Sequence, residues 1–369
     1  TEKHLLHHDI EPLPNGNVLA IAWESKTPQE AASVSRRPDL IPKGGLWPDH
    51  IVEVEPQGLN GGRIVWEWHA WDHLVQHIDN GLPNYGDPSK HPERIDINAN
   101  QAAMDIDPEE LARLKAIGYV PDDADAEELK SDLFHSNAIA YNAELDQIAI
   151  SVPNFEEIWI IDHSTTTEEA ATTSGGRSGK GGDLLYRWGN PKSYGQGTDT
   201  DQKLFFQHNI HWIDKGLPGE GNLLVFNNAL KGPEGGYSAI YQWAPPTESD
   251  GSYSPPTGGT FGPSQPNWKY EAPDKISFSS PFISGMQRLP NGNTLICSGA
   301  SGRIFEVTGA GKIVWEFYDP FSGSVVMPDG SQPQPVGPYI HAVFRATKFS
   351  PNHPGIKGLK LQALDPQPL

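Results

Sequence analysis

Apolar residues in this chain fall in short alternating runs broken by Gly, Pro and Asn, and the runs come in groups of four. The most compact group has runs at 285–289, 294–298, 303–307 and 312–317. Alternation of period two predicts strands with one buried face. Pro290-Asn291-Gly292-Asn293 joins the first two, and its Asn-Gly step takes the positive φ of a tight hairpin. The string Leu-Pro-Asn-Gly-Asn also stands at 13–17, and Ile-Val-Trp-Glu stands at both 64–67 and 313–316. Internal similarity of this kind specifies a repeat architecture.

Aligned on the compact copy, further strands are predicted near 8–13, 18–23, 50–54 and 63–68. A second set falls near 135–141, 147–151, 157–161 and 183–188, and a third near 208–213, 222–226, 238–243 and 267–271. Four antiparallel strands per copy make a propeller blade. The predicted fold is therefore all-β, a β-propeller of five or six four-stranded blades in one domain over 1–369. A fifth first strand is predicted at 340–346, with its partner strands supplied from elsewhere. Each fourth strand ends in an aromatic pair, Trp66/Trp68, Tyr186/Trp188, Trp268/Tyr270 and Trp315/Phe317, which predicts a stripe packed between blades.

One insertion, 71–133, is expected to be partly helical. Asp107 and Pro108 can start a helix, Gly118 can end it, and Leu111, Leu114 and Ile117 give it one apolar stripe. The acidic stretch 122–128 lacks a calcium-loop spacing and reads as a solvated loop. Segments 164–182 and 245–266 read as surface loops.

Composition narrows the function. A formal charge of −20 excludes binding nucleic acid through its phosphates, and no apolar run reaches the length of a membrane span. Cys297 is the only cysteine, so no intrachain disulfide forms, and it sits in a predicted strand. Thr1 opens the chain without a signal-like segment, which predicts a leader already removed.

Histidine placement carries the strongest functional signal. His8, His135, His208 and His341 align at the start of the first strands, and the remaining copy has Ser284 there. First strands line a propeller's channel, so residues far apart in sequence are expected to converge at one height. Imidazoles there can bind a metal, hold an anion when protonated, or act as base and nucleophile. Asp9, Asn137, Asn209 and Gln287 are placed to supply hydrogen bonds, and alternation turns His7 and His211 the other way. His69, His73 and His77 would share one face if helical. The alternative for them is a loop crossing the mouth or a surface helix.

Six segments carry a family resemblance: HHDIEPLPNGNVLAIAW (7–23), FHSNAIAYNAELDQIAIS (134–151), YRWGNP (186–191), FFQHNIHW (205–212), GNLLVFNNA (221–229) and QRLPNGNTLICSG (287–299). In these the chain resembles the arylsulfotransferases, bacterial β-propeller enzymes. The resemblance implies an exported, six-bladed protein, periplasmic or extracellular, that moves sulfate between phenols without a nucleotide donor. One histidine would be sulfated transiently, while other histidines and an arginine hold the sulfuryl oxygens. His135 and His208 match family positions. Lys231 stands near where the arginine would be, and the stretch 280–286, where the nucleophile is expected, holds no histidine. His8 and His341 are the remaining candidates for that role.

The leading expectation is a cofactor-free transferase with a small phenolic or sulfated substrate. It uses His135, His208, His8 and His341, with Asn137, Asn209, Lys231 and Gln287 on the substrate. The alternatives are a metal-dependent lyase or hydrolase holding zinc, copper or calcium on those four histidines, or a non-catalytic binding or structural propeller.

Overall fold

The computed structural model describes residues 5–100, 107–116, 125–233, 235–254, 256, 258–320, 341–360 and 362. Among them the chain forms four four-stranded antiparallel sheets. The first is β1 (Leu5–Pro12), β2 (Val18–Trp23), β3 (Asp49–Gln57) and β4 (Gly61–His69). A small parallel pair follows, β5 (Leu74–Val75) and β6 (Ile95–Asp96). The second sheet is β7 (Ala138–Asn142), β8 (Gln147–Val152), β9 (Glu157–Asp162) and β10 (Tyr186–Trp188). β11 (His208–Trp212), β12 (Leu223–Gly232), β13 (Gly235–Trp243) and β14 (Trp268–Tyr270) form the third. The fourth is β15 (Gly285–Arg288), β16 (Thr294–Ser298), β17 (Arg303–Val307) and β18 (Ile313–Tyr318). Each sheet runs in sequence order from an innermost first strand, which is the arrangement of propeller blades.

The repeated Asn-Gly-Asn turn has a repeated job. Asn15 and Asn17 donate to the Glu53 carboxylate at 3.2 and 2.5 Å. Asn291 and Asn293 donate to Glu306 at 3.0 and 2.6 Å. In both blades the turn between the first two strands is thus clamped to the third.

The aromatic stripes pack between blades as their alternation predicted. Trp66 and Trp68 of blade one lie in a core cluster with Ile148, Ile150 and Trp159 of blade two. Trp188 of blade two stacks on Trp243 of blade three at 4.2 Å, and Trp243 donates to the Tyr186 hydroxyl at 3.0 Å. Tyr270 of blade three meets Phe305 of blade four. Blade four differs: Trp315 remains 46% exposed, because no further described blade covers its outer face.

The innermost strands are joined by a belt of side-chain hydrogen bonds. Asp9 accepts from the Ile139 backbone (3.3 Å), Asn137 donates to the Gln207 carbonyl (2.9 Å), and Asn209 accepts from the Met286 backbone (3.1 Å). A strap over 341–348 completes it. The strap's Phe344 carbonyl accepts from Ser284 at 3.0 Å, and Val343 donates to the Gly299 carbonyl at 2.9 Å. Arg345 then reaches across to grip both oxygens of Asp9, at 3.0 and 2.6 Å.

One expectation is corrected. Residues 341–346 are not a fifth first strand: their backbone bonds go singly to Ser284 and Gly299 at the edge of blade four, so no ladder forms; Ile340 lies outside the described residues. The insertion is helical in part. It holds α1 (Pro108–Ala116) and one turn, α2 (Ala126–Leu129), while its first part is loops pinned by β5 and β6. Ile117, Gly118, 122–124 and the side chain of Leu114 lie outside the described residues. His69, His73 and His77 do not share a helix, in line with the loop alternative. His69 ends β4 and pairs with Glu24 and Glu67, while His73 is buried, bonded to Asp183 (2.8 Å) and the Ala170 carbonyl (2.8 Å).

Blade packing predicts two contrasting truncations. Trp243→Ala removes a fully buried indole and its stack, and should cost about 3–5 kcal/mol. Trp315→Ala should cost less than about 1 kcal/mol. Urea unfolding midpoints of the two variants check the contrast.

Candidate functional site

The site begins with a backbone irregularity. Near the head of each innermost strand stands a non-glycine residue with left-handed φ: His8 (55°), His135 (56°), Asn209 (55°) and Ser284 (96°). Such a step costs an L-residue about 1–2 kcal/mol, and it breaks strand alternation. The register of β1 slips between Leu6 and Ile10, and that of β11 between His208 and His211. His7 and His8 consequently come into contact, Nδ1 to Nδ1 at 2.7 Å, where plain alternation would separate them. His7 stacks on Trp23 at 4.0 Å and turns Nε2 to Asp49 at 3.3 Å.

Three of the four aligned histidines converge. The rings of His8 and His135 lie edge to face, 4.6 Å between centroids. His208 is close enough for its charge to act on His8, and for that of His135 to act on it. His341 is not with them: it packs against Gly302 on blade four, its Nδ1 buried without a hydrogen-bond partner.

The three imidazoles sit in different electrostatic environments. Asp132 accepts from the His135 backbone at 3.0 Å and holds its Nδ1 at 2.6 Å. Burial opposes charge on His135, but Asp132, with help from Asp49, outweighs it and raises the pKa above the ordinary 6.5. His8 is held well below that value by burial and by its neighbours His135, His7 and His208. Burial, with a contribution from His135, takes His208 down to about 4 against the opposing bond from Asn228. Asp132 thus favours the cation on His135, while burial favours the neutral ring on His8 and His208.

The remaining candidates have other engagements. Asn209 is used in the inter-blade belt, and Asn137 offers only its Oδ1, which is buried and lacks a hydrogen-bond partner. Gln287 exchanges hydrogen bonds with the Lys348 backbone at 3.3 and 2.8 Å. Lys231 is exposed at the β12–β13 hairpin, opposite Gly236. His211, half-buried in β11, bonds the Asn209 carbonyl at 3.2 Å. Among the described residues no three His, Cys, Asp or Glu side chains group so as to hold a metal ion. Asp132, Asp49 and Asn228 were not foreseen as site residues, and His7 was an adjacent candidate that alternation was expected to turn away. Only Asp132 had a local signal, three positions before His135.

Asp132→Asn should lower the His135 pKa, read from its Cε1–H shift in an NMR titration. Because the folded-state value is raised, the ion pair stabilises the fold below about pH 6.5, and that stability fades as pH rises through the folded value. The stability deficit of the variant should therefore be largest on the acid side of neutrality and shrink with increasing pH.

The Arylsulfotransferase (ASST) family model matches residues 1–235. No curated protein matches significantly. Among solved structures, a protein of unknown function from Bacteroides caccae is 14% identical over 54% of this chain and 52% of its own, with a TM-score of 0.28. The alignment thus spans about half of that protein. A catalytically inactive virginiamycin B lyase from Staphylococcus aureus, with quinupristin, is 12% identical over 86% and 74%, with a TM-score of 0.32. A glucose dehydrogenase is 10% identical over 89% and 79%, with a TM-score of 0.34. Likenesses this distant carry no argument about activity. The family match covers well over half of the chain and the segments that build the histidine site, and the chain belongs to the arylsulfotransferase family.

Proposed function

We propose that this protein is an arylsulfotransferase-like enzyme that moves a sulfuryl group from a phenolic sulfate to a phenolic acceptor at the channel mouth, through His8, His135 and His208. The observation that carries this reading is the convergence of three imidazoles, with Asp132 on Nδ1 of His135 at 2.6 Å and Asn228 on Nδ1 of His208 at 2.9 Å. Sulfuryl transfer needs a neutral nitrogen to attack sulfur and a cationic donor to meet the charge that develops on the oxygens. The neutral rings suit the first task, and His135, held by Asp132, suits the second. In a chain of formal charge −20, an anionic sulfate ester needs such a local cation. The exposed Lys231 and His341, which packs against Gly302, are not part of this reading, and Asn137 Oδ1 is the group left to contact substrate.

The reaction calls for no metal or other cofactor in this reading. Members of the family are generally secreted or periplasmic, and we extend that location to this chain. No helix among the described residues is long and apolar enough to cross a membrane.

The test is transfer from 4-nitrophenyl sulfate to phenol, followed by nitrophenolate release. The wild type should turn over, and His135→Ala should lose roughly a thousandfold in kcat/KM. Activity should fall on the alkaline side as His135 gives up its proton, and Asp132→Asn should move that fall to lower pH. A wild type that releases no nitrophenolate with phenol present would overturn the reading.

A further inference from the structure

We propose that Trp23 positions His135 from the neighbouring blade, acting through Asp132; the use of that positioning in catalysis rests on the transfer reading above. The geometry starts from one cross-strand pair of blade one. Trp23 ends β2 and stands opposite Asp49, the first residue of β3. Both side chains reach across to blade two. The Trp23 indole Nε1–H donates to Oδ1 of Asp132 at 3.2 Å, and Oδ2 of Asp49 accepts from the Ser136 amide at 2.7 Å. Residues 132 and 136 flank His135, so a single pair of blade one holds the imidazole-bearing segment on both sides.

His135 needs such a hold. Its left-handed φ of 56° is a strained step that persists only where surrounding bonds fix it. The two oxygens of Asp132 have separate tasks. Oδ2 meets Nδ1 of His135 at 2.6 Å, while Oδ1 accepts from the His135 amide at 3.0 Å and from Trp23. That amide belongs to the same short turn and moves with the imidazole, so it sets no orientation relative to blade one. The indole does, because its own place is fixed. It stacks on His7 at 4.0 Å and lies 5.6 Å from the Trp47 ring. Trp47 steadies the backbone on either side of Asp132, donating to the Ser131 carbonyl at 2.6 Å and accepting from Leu133 at 3.3 Å. With its main chain and Oδ1 both tied to blade one, Asp132 keeps Oδ2 turned to His135.

In the transfer reading His135 is the cationic donor that meets charge developing on the sulfuryl oxygens. Such a donor lowers the barrier only if its N–H already points where that charge appears. A loosened Asp132 leaves an imidazole that still attracts an anion but is aimed poorly at the transition state, so the loss falls on kcat rather than KM. Trp23 is thus a positioning residue and makes the acidity and aim of a blade-two histidine depend on blade one.

The test compares the full chain with its Trp23→Phe variant in two measurements. Phe keeps an aromatic ring against His7 and removes the N–H. The first measurement is the proton resonance of His135 Nδ1–H, which a short charge-assisted bond places far downfield. The charged and titratable groups around His135, namely Asp132, Asp49, His8 and His208, are the same in every protein compared. The resonance should move upfield in Trp23→Phe and stay in place in Trp47→Phe, which removes a neighbouring indole that makes no side-chain hydrogen bond to Asp132. An unmoved resonance in Trp23→Phe, or an equal shift in Trp47→Phe, overturns the proposal. The second measurement is transfer from 4-nitrophenyl sulfate to phenol, where Trp23→Phe should lose about tenfold in kcat with KM changed less than about twofold. An unchanged kcat also overturns the proposal. A wild type that releases no nitrophenolate overturns the transfer reading alone, because the resonance still decides whether Trp23 positions His135.

Discussion

The belt of hydrogen bonds between innermost strands is the constraint on which the rest of this molecule depends. A propeller blade has a buried face on each side, and it keeps its place only if its first strand is tied to the next. Here the ties are side chain to backbone: Asp9 to Ile139, Asn137 to Gln207 and Asn209 to Met286. The last link spans most of the chain, because Arg345 grips Asp9. Asp9 is almost fully buried, and an unpaired carboxylate there would be costly. Arg345 therefore neutralises a charge and joins the strap beside blade four to blade one.

The same residues explain how the site gets its geometry. His8 immediately precedes Asp9, His135 lies two residues before Asn137, and His208 precedes Asn209. The belt residue fixes the backbone, and the histidine rides on the left-handed step beside it. Strain of that kind persists only where surrounding bonds over-determine the conformation. Asp132 and Asp49 add a second layer, since both bind backbone amides at the head of blade two as well as imidazoles. Structure and electrostatics thus share one set of carboxylates.

Much of this was legible in the sequence, for definite reasons. Period-two alternation and the Asn-Gly turns placed the sixteen blade strands, most within two or three residues of their ends. The aromatic pairs placed the blade interfaces, and register alone brought His8, His135 and His208 together. The failures share one cause: alternation and alignment describe regular strands, and the site lies where strands are irregular. His7 was assigned to the wrong side because a bulge adds residues to β1. His341 was aligned as a strand residue, but its segment has no ladder to hold that register. Asn228 and Asp49 act from other strands, and no local pattern marks a tertiary hydrogen bond.

The distribution of negative charge bears on the proposed transfer of an anionic group. A strongly acidic protein is a poor host for a sulfate ester unless its carboxylates are neutralised near the place of binding. Asp132 is matched by His135 and Asp9 by Arg345, while Asp49 accepts from the Ser136 amide. Glu11, two residues further along β1, has its pKa raised to about 7 by burial and by Asp9, so it carries little charge below neutrality. Each acidic group close to the imidazoles is thus paired or largely protonated there, and the imidazolium of His135 is not cancelled by an unopposed neighbour. In the proposed reaction, this local pairing is what would let a chain of formal charge −20 accept a sulfate ester beside His135.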